Sequence, residues 1–430
     1  MFIEFAVDNL LRRAAAALAA LVLCAVLGSW VWSSFVAGLV ADDRVAVTKD
    51  WLDWGKEHAP NSALVYARLA RVELLEEDRD IETARAHVVR AMSLSPWDFN
   101  HRLLLASVEE ARGDRAAAEQ ALRDSVALAP NNTEVHWRLA NSLFRQGKYR
   151  ESLSEFRLVT NSNREYLPAS LDMMWRASNG SLAAAEAVTP PDARSRLALA
   201  EYLLKQSRVS EAARVFDSID RPTRLTSDQS EAFINRLISI GELEMARALW
   251  VNIVGGKEEL DGGYRAVVWN GGFESAPSTR LAQFDWAISS NSFASVAIES
   301  GGREGGRALK IDFLGRDTTK LDGEVRQIVL VRAGARYRLS FYVKTEELVT
   351  TEGPRVAIED RRTGAVIAES DRIAAGTADW QVRNVDFTAP AGANALVIKI
   401  KRTPRFSYDD PMRGRLWLDD FALNEQGGNR

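Results

Sequence analysis

The chain has 430 residues, 46% of them apolar and 27% charged, a composition ordinary for folded domains with sizeable cores that excludes global disorder. Its 55 lysines and arginines against 59 aspartates and glutamates give a net charge of −4, without the basic surplus that nucleic-acid binders use to neutralise phosphates. The single cysteine, Cys24, rules out an intrachain disulfide framework and a cysteine-based zinc cluster, and the four histidines (His58, His87, His101, His136) confine histidine chemistry to the first third.

Arg12 and Arg13 precede an uncharged stretch over 14–41, longer than the roughly 20 apolar residues that cross a bilayer as a helix. A transmembrane anchor is expected there. The competing reading is a cleaved signal peptide, whose apolar region runs only about 7–15 residues. The arginines before the span, with Asp42 and Asp43 after it, place residues 1–13 in the cytoplasm. The expected topology is single-pass in a bacterial-type inner membrane, with the C-terminal domains periplasmic or otherwise extracytoplasmic.

Residues 44–262 are rich in Ala, Leu, Arg and Glu and repeat with a period of 34: Pro96 and Pro130, Gly113 and Gly147, Ser207 and Gly241 are each spaced by it. These residues mark turns. Between them, Leu139, Ala140, Leu143 and Phe156, then Leu199, Ala200, Leu203, Ala212 and Phe216, then Phe233, Ile234, Leu237, Ala246 and Trp250 fall where two antiparallel helices pack. The pattern resembles the tetratricopeptide repeat family, which implies an all-α solenoid of five or six units and a surface for a protein partner. A spacer between membrane and C-terminal domain is the alternative. Three positions depart from the family: Arg102 where an aromatic is common, Ser152 where a small alanine stands, and Arg164 where proline often closes a repeat. Residues 164–192 are degenerate, Pro190-Pro191 breaks a helix, and the first unit, with Tyr66, Leu69 and Ala84, needs a longer inter-helix turn. Trp97, Trp137 and Trp175 read as solenoid core, with partner anchoring as the other reading.

Past Gly255-Gly256 and Gly262-Gly263 the helical period stops and short alternating runs begin. In Tyr337–Lys344, Tyr337, Leu339, Phe341 and Val343 point one way and Arg338, Ser340, Tyr342 and Lys344 the other. Many such strands imply an all-β jelly-roll sandwich over 264–426, so the fold class is multidomain: transmembrane helix, helical solenoid, sandwich.

The sequence opens this domain with Asn270-Gly271-Gly272-Phe273-Glu274, continues through Trp286, Arg307–Ile311 and Trp380, and closes on Leu416-Trp417-Leu418-Asp419-Asp420-Phe421. In that order the motifs resemble the carbohydrate-binding modules of families 4 and 9, galactose-binding-like jelly rolls. The resemblance implies a glycan ligand. It also implies that Glu274 and Asp419, with Asp420, meet at the domain edge and can hold a structural calcium; a carboxylate pair bonded to backbone amides is the alternative. A sugar needs a flat aromatic and polar partners: Tyr342, Trp286, Tyr408 and Phe406 are the aromatic candidates, and Arg338, Lys344, Gln327 and Arg326 the donors. Core packing is the alternative for every aromatic, and is favoured for Trp286, Trp380 and Trp417.

With the span, solenoid and jelly roll assigned, no segment of catalytic-domain size remains. Neither a P-loop nor a nucleophile elbow occurs. The expected function is a non-catalytic, membrane-anchored scaffold that binds a protein through the repeats and a polysaccharide through the sandwich, in assembly or export of a cell-surface polysaccharide. It requires no cofactor beyond the candidate calcium and binds no nucleic acid. A purely protein-binding scaffold and a glycoside-hydrolase-related protein are the alternatives.

Overall fold

The computed structural model describes residues 10–41, 49–75, 80–255, 268–406, 408 and 410–426. Asp42, Asp43, the long link after Leu75 and most of the glycine-rich stretch after Gly255 lie outside the described residues. The chain divides into two compact units, Met1–Ser195 and Arg196–Arg430.

In the first unit α1 (Leu10–Ala41) contains the 28 residues Arg13–Val40, long and apolar enough to cross a bilayer, a measure that a signal sequence also meets. Its last turns belong to the helical array: Val36 and Val40 are fully buried with Leu52, Val65 and Leu69 of α2 (Lys49–His58) and α3 (Ala63–Leu75). Gly55 is needed at that crossing, because a Cβ there would lie 2.8 Å from Val40 Cγ1.

Antiparallel helix pairs follow: α3 with α4 (Ile81–Leu94), α5 (Phe99–Arg112) with α6 (Arg115–Leu128), and α7 (Thr133–Arg145) with α8 (Tyr149–Ser162). Asp98, Asp114 and Asn132 cap helix starts by accepting backbone N–H groups. Gly113, at φ 86°, ends α5 in the left-handed region that glycine enters without strain. The three departures from the repeat pattern each have a local bond. Arg102 Nη1 donates to the Pro96 carbonyl at 2.7 Å, and one period later His136 Nε2 stands 2.8 Å from the Pro130 carbonyl. The fully buried Ser152 hydroxyl donates to the Ala140 carbonyl at 2.9 Å. Arg164 Nε pairs with Asp192 at 3.1 Å. Over the degenerate stretch the helices shorten, α9 covering Leu167–Ala177 and α10 Leu182–Val188. Trp97, expected in the core, is 83% exposed in the turn between α4 and α5, because its position follows the helix-ending Pro96.

The second unit holds most of α11 (Ala193–Lys205), then α12 (Val209–Asp217), α13 (Arg221–Thr226), α14 (Asp228–Ser239), α15 (Leu243–Val254) and the β-sandwich. The fully buried Trp250 of α15 donates through Nε1 to the Leu281 carbonyl at 2.5 Å and packs edge-on against Trp269, 4.8 Å between centroids. Arg247 lies over the same rings. These contacts join the last helices to the segment that opens the sandwich.

The sandwich is a jelly roll of two antiparallel five-stranded sheets. The first runs β1 (Ala287–Ile288), β4 (Val325–Leu330), β9 (Ala395–Lys401), β6 (Arg355–Asp360) and β7 (Val366–Glu369). The second runs β2 (Ala294–Ser300), β3 (Arg307–Leu314), β10 (Arg413–Gln426), β5 (Arg336–Val349) and β8 (Gly376–Thr388). Between them lies one core, with Leu309, Ile311, Leu339, Phe341, Leu416 and Leu418 from the second sheet against Val329, Val356, Ile358 and Ile398 from the first. The opening motif lies along β10: Phe421 N donates to the Gly271 carbonyl at 2.9 Å, an approach so close that a Cβ on Gly271 would meet the Phe421 oxygen at 2.1 Å.

Candidate functional site

Strand alternation puts a row of side chains on the outer face of the second sheet. Trp417 stands on the central strand β10, directly opposite Lys310 of β3 on one side and Lys344 of β5 on the other. Its inward neighbours Leu416 and Leu418 are fully buried while Trp417 is half-buried, so its ring forms part of the surface. Lys310 Nζ and Lys344 Nζ lie 5.9 and 5.8 Å from the ring centre. Tyr342 shares the face beside Val382, and Trp380 has the strand parity of Val382.

Four cations of this face have acids beside them. Lys310 pairs with Asp312 at 3.0 Å and Glu299 at 3.2 Å, and the Asp312 hydrogen bond holds its ammonium pKa above the usual value. Arg338 forms two parallel bonds to Asp386, at 2.7 and 2.8 Å. Arg415 meets Glu346 at 2.9 Å, and Lys344 lies 4.0 Å from Asp379. An aromatic plane surrounded by paired donors and acceptors suits a hydroxyl-rich ring, whose apolar face stacks while its hydroxyls exchange bonds with the charged rim.

The structure therefore places Tyr342, Arg338 and Lys344 on one face of β5 and adds Trp417, opposite Lys344, which the sequence reading assigned to the core. The signal was present: Leu416-Trp417-Leu418 reads as a continuous apolar run, but the parity of the two leucines turns the tryptophan outward.

Two candidates are corrected. Trp286 is 1% exposed, packed on Phe273 and Phe421 with Nε1 donating to the Asn270 carbonyl, so it has no free face to stack on a sugar. Gln327 is equally buried and clamps the Trp269 backbone, accepting its N–H at 3.0 Å and donating to its carbonyl at 2.8 Å. Tyr408 is 72% exposed, 6.2 Å from Phe406, on the loop between β9 and β10.

The edge acids do converge, as the resemblance implied. A Cβ on Gly272 would sit 3.4 Å from Asp420 Oδ1 and 3.9 Å from both Asp419 Oδ1 and Glu274 Cγ. Their oxygens are engaged, however. Glu274 accepts the Arg307 N–H, Asp419 accepts those of Arg303 and Asp420, and Asp420 takes Arg303 Nε at 2.5 Å. Among the described residues no three acidic, histidine or cysteine side chains are placed to hold a metal. These are the bonds of the amide-bonded alternative, with the Arg303 guanidinium beside Asp420. Burial, with the charges of Asp420 and Glu274, lifts the Asp419 carboxyl above its usual range against the two amide bonds. The same guanidinium lies 4.2 Å from the Tyr342 ring centre and covers that ring.

Residues 265–405 match the family model described as a carbohydrate binding domain. Among solved structures, the crystal structure of MamA matches at 11% identity over 39% of this chain and 82% of its own, with a TM-score of 0.27. The structure described as CBM4 structure and function matches at 18% over 37% and 99%, with a TM-score of 0.28. The CBM22-1-GH10 modules of Clostridium thermocellum xylanase 10B, complexed with xylohexaose, match at 18% over 38% of this chain but 30% of theirs, with a TM-score of 0.25. No curated protein matches. The structure is thus a chain of helix pairs ending in a β-sandwich, and it is the sandwich that carries the match to the carbohydrate binding domain model.

Proposed function

We propose that the chain is a membrane-anchored, non-catalytic scaffold that holds a glycan on the outer face of its second sheet and a protein partner on its helical pairs, in assembly or export of a cell-surface polysaccharide. The observation that carries the glycan reading is Trp417, an outward aromatic on the central strand, flanked by two lysines and set within a region matching a carbohydrate binding domain. A binding role rather than catalysis is supported by the acids of the face: Asp312, Glu346 and Asp386 each neutralise a cation beside them, unlike a pair of carboxylates facing each other across a scissile bond. Anchoring through residues 14–41 is supported by the burial of Val36 and Val40 against α2 and α3, a packing that cleavage after the apolar stretch would remove. The partner reading rests on the stacked helix pairs, and the exposed Trp97 is a residue such a partner could cover.

The test is calorimetric titration of the full-length chain in detergent micelles with neutral and acidic polysaccharides. Saturable binding without turnover is the expected result. Turnover would favour the hydrolase reading, and silence across the panel would favour a purely protein-binding scaffold.

A further inference from the structure

The edge strands of the two sheets, β1 and β2, lie on the same side of the sandwich, and a cleft of about 510 Å³ opens there. Its size falls within the roughly 300–1,000 Å³ of small-ligand sites. Ile288 and Ile298 give it an apolar wall, and Ser278 and Ser289 add hydroxyls. Its only charged lining residues are Arg307 and Arg326.

The placement of both arginines follows from strand register. Arg307 opens β3 opposite Ser300 of β2, and Arg326 stands on β4 opposite Ala287 of β1. Arg307 donates one guanidinium bond, to the Ile298 carbonyl at 3.1 Å, which fixes its head at the rim. Arg326 is exposed, and among the described residues it has no ion-pair partner. The acids on adjoining segments are turned to other groups: Asp285 accepts the Ser278 and Trp286 N–H groups, and Glu324 accepts those of Asp322 and Gly323 together with the Asn291 amide. Two planar guanidinium forks with no carboxylate among the residues lining the cleft form a receptor for a carboxylate, which arginine binds through two parallel bonds. The apolar wall and the hydroxyls leave room for the ring that bears it.

We propose that this cleft is a second binding site, selective for an acidic sugar residue of the hexuronate class, with Arg307 and Arg326 gripping the carboxylate. The inference rests on the glycan reading for its choice of a sugar, but uses residues separate from the Trp417 face.

The experiment titrates the full-length chain in detergent micelles with sodium glucuronate, sodium acetate and a neutral oligosaccharide, cellohexaose. Glucuronate is expected to bind at least tenfold more tightly than acetate. Arg326→Gln and Arg307→Gln should each weaken glucuronate at least tenfold, and Arg326→Lys, which keeps the charge but loses the fork, should weaken it by less. Glucuronate binding that survives the double arginine variant, or that acetate matches, overturns the proposal. If cellohexaose binds through Trp417 and glucuronate does not bind, the second site falls and the sheet-face reading stands. If glucuronate binds through the arginines and cellohexaose does not bind, the cleft stands and the sheet-face reading falls.

Discussion

The outer face of the second sheet and the cleft at the sandwich edge treat charge in opposite ways. On the face, Lys310, Lys344, Arg338 and Arg415 each have an acid within 4.0 Å. In the cleft, Arg307 and Arg326 have no acid among the lining residues. Paired charges offer donors and acceptors in equal measure and so suit hydroxyls, whereas unpaired guanidinium groups suit an anion.

The largest perturbation removes both sites together. Gly271→Ala places a methyl against the Phe421 carbonyl on β10, the strand that carries Trp417, and loosens the motif that bonds Trp286. A loss of about 3 kcal/mol is expected, read as a lower thermal midpoint with both affinities reduced; a midpoint like that of the wild type would contradict the tight crossing.

Next in size is an acid-dependent loss of stability from the first sheet, where Glu359 of β6 pairs with Lys399 and Lys401 of β9. Burial pushes the Glu359 carboxyl up, but hydrogen bonds from Lys399 at 2.6 Å and Lys401 at 2.7 Å outweigh it and hold the pKa below the usual value. Stability from this group is present above the unfolded glutamate value and is lost as pH falls through the folded one. Glu359→Gln should lower the thermal midpoint at neutral pH and flatten its decline between about pH 5 and about pH 3. Parallel curves for variant and wild type would show that the ion cluster contributes nothing.

Two smaller effects sharpen the contrast. Tyr342→Ala should change neutral-glycan affinity by less than about threefold, because Arg303 already covers the ring and such rim contacts are near-neutral energetically. A larger loss would move the platform from Trp417 to Tyr342. Raising salt from about 0.05 to about 0.5 M should weaken glucuronate in the cleft severalfold through screening, and alter neutral-glycan binding on the face by no more than about twofold. Equal salt sensitivity would erase the distinction.

How much was legible in the sequence differs between these regions for physical reasons. The helix pairs were readable because turn residues recur every 34 positions and small residues such as Ala140 and Ala246 must sit where helices touch. The β5 face was readable because strict alternation separates Leu339 and Phe341 from Arg338 and Tyr342. Trp417 was hidden by its apolar neighbours. Gln327 looked like a surface donor because nothing local shows that a polar side chain will spend both its groups on a backbone 58 residues away. The cleft depends on four separated segments meeting at one edge, and Trp250 of the last helix reaches the backbone of Leu281, 31 residues on. Such juxtapositions leave no periodic trace.

The most direct test of the account is the affinity of Trp417→Ala for a neutral oligosaccharide, measured by calorimetry on the full-length chain beside Arg326→Gln. The account predicts a loss of about 2 kcal/mol, roughly thirtyfold in Kd, for the tryptophan variant, and no loss for the arginine variant. Neutral-glycan binding that survives Trp417→Ala would contradict the claim that the outer face of the second sheet is where this chain holds sugar.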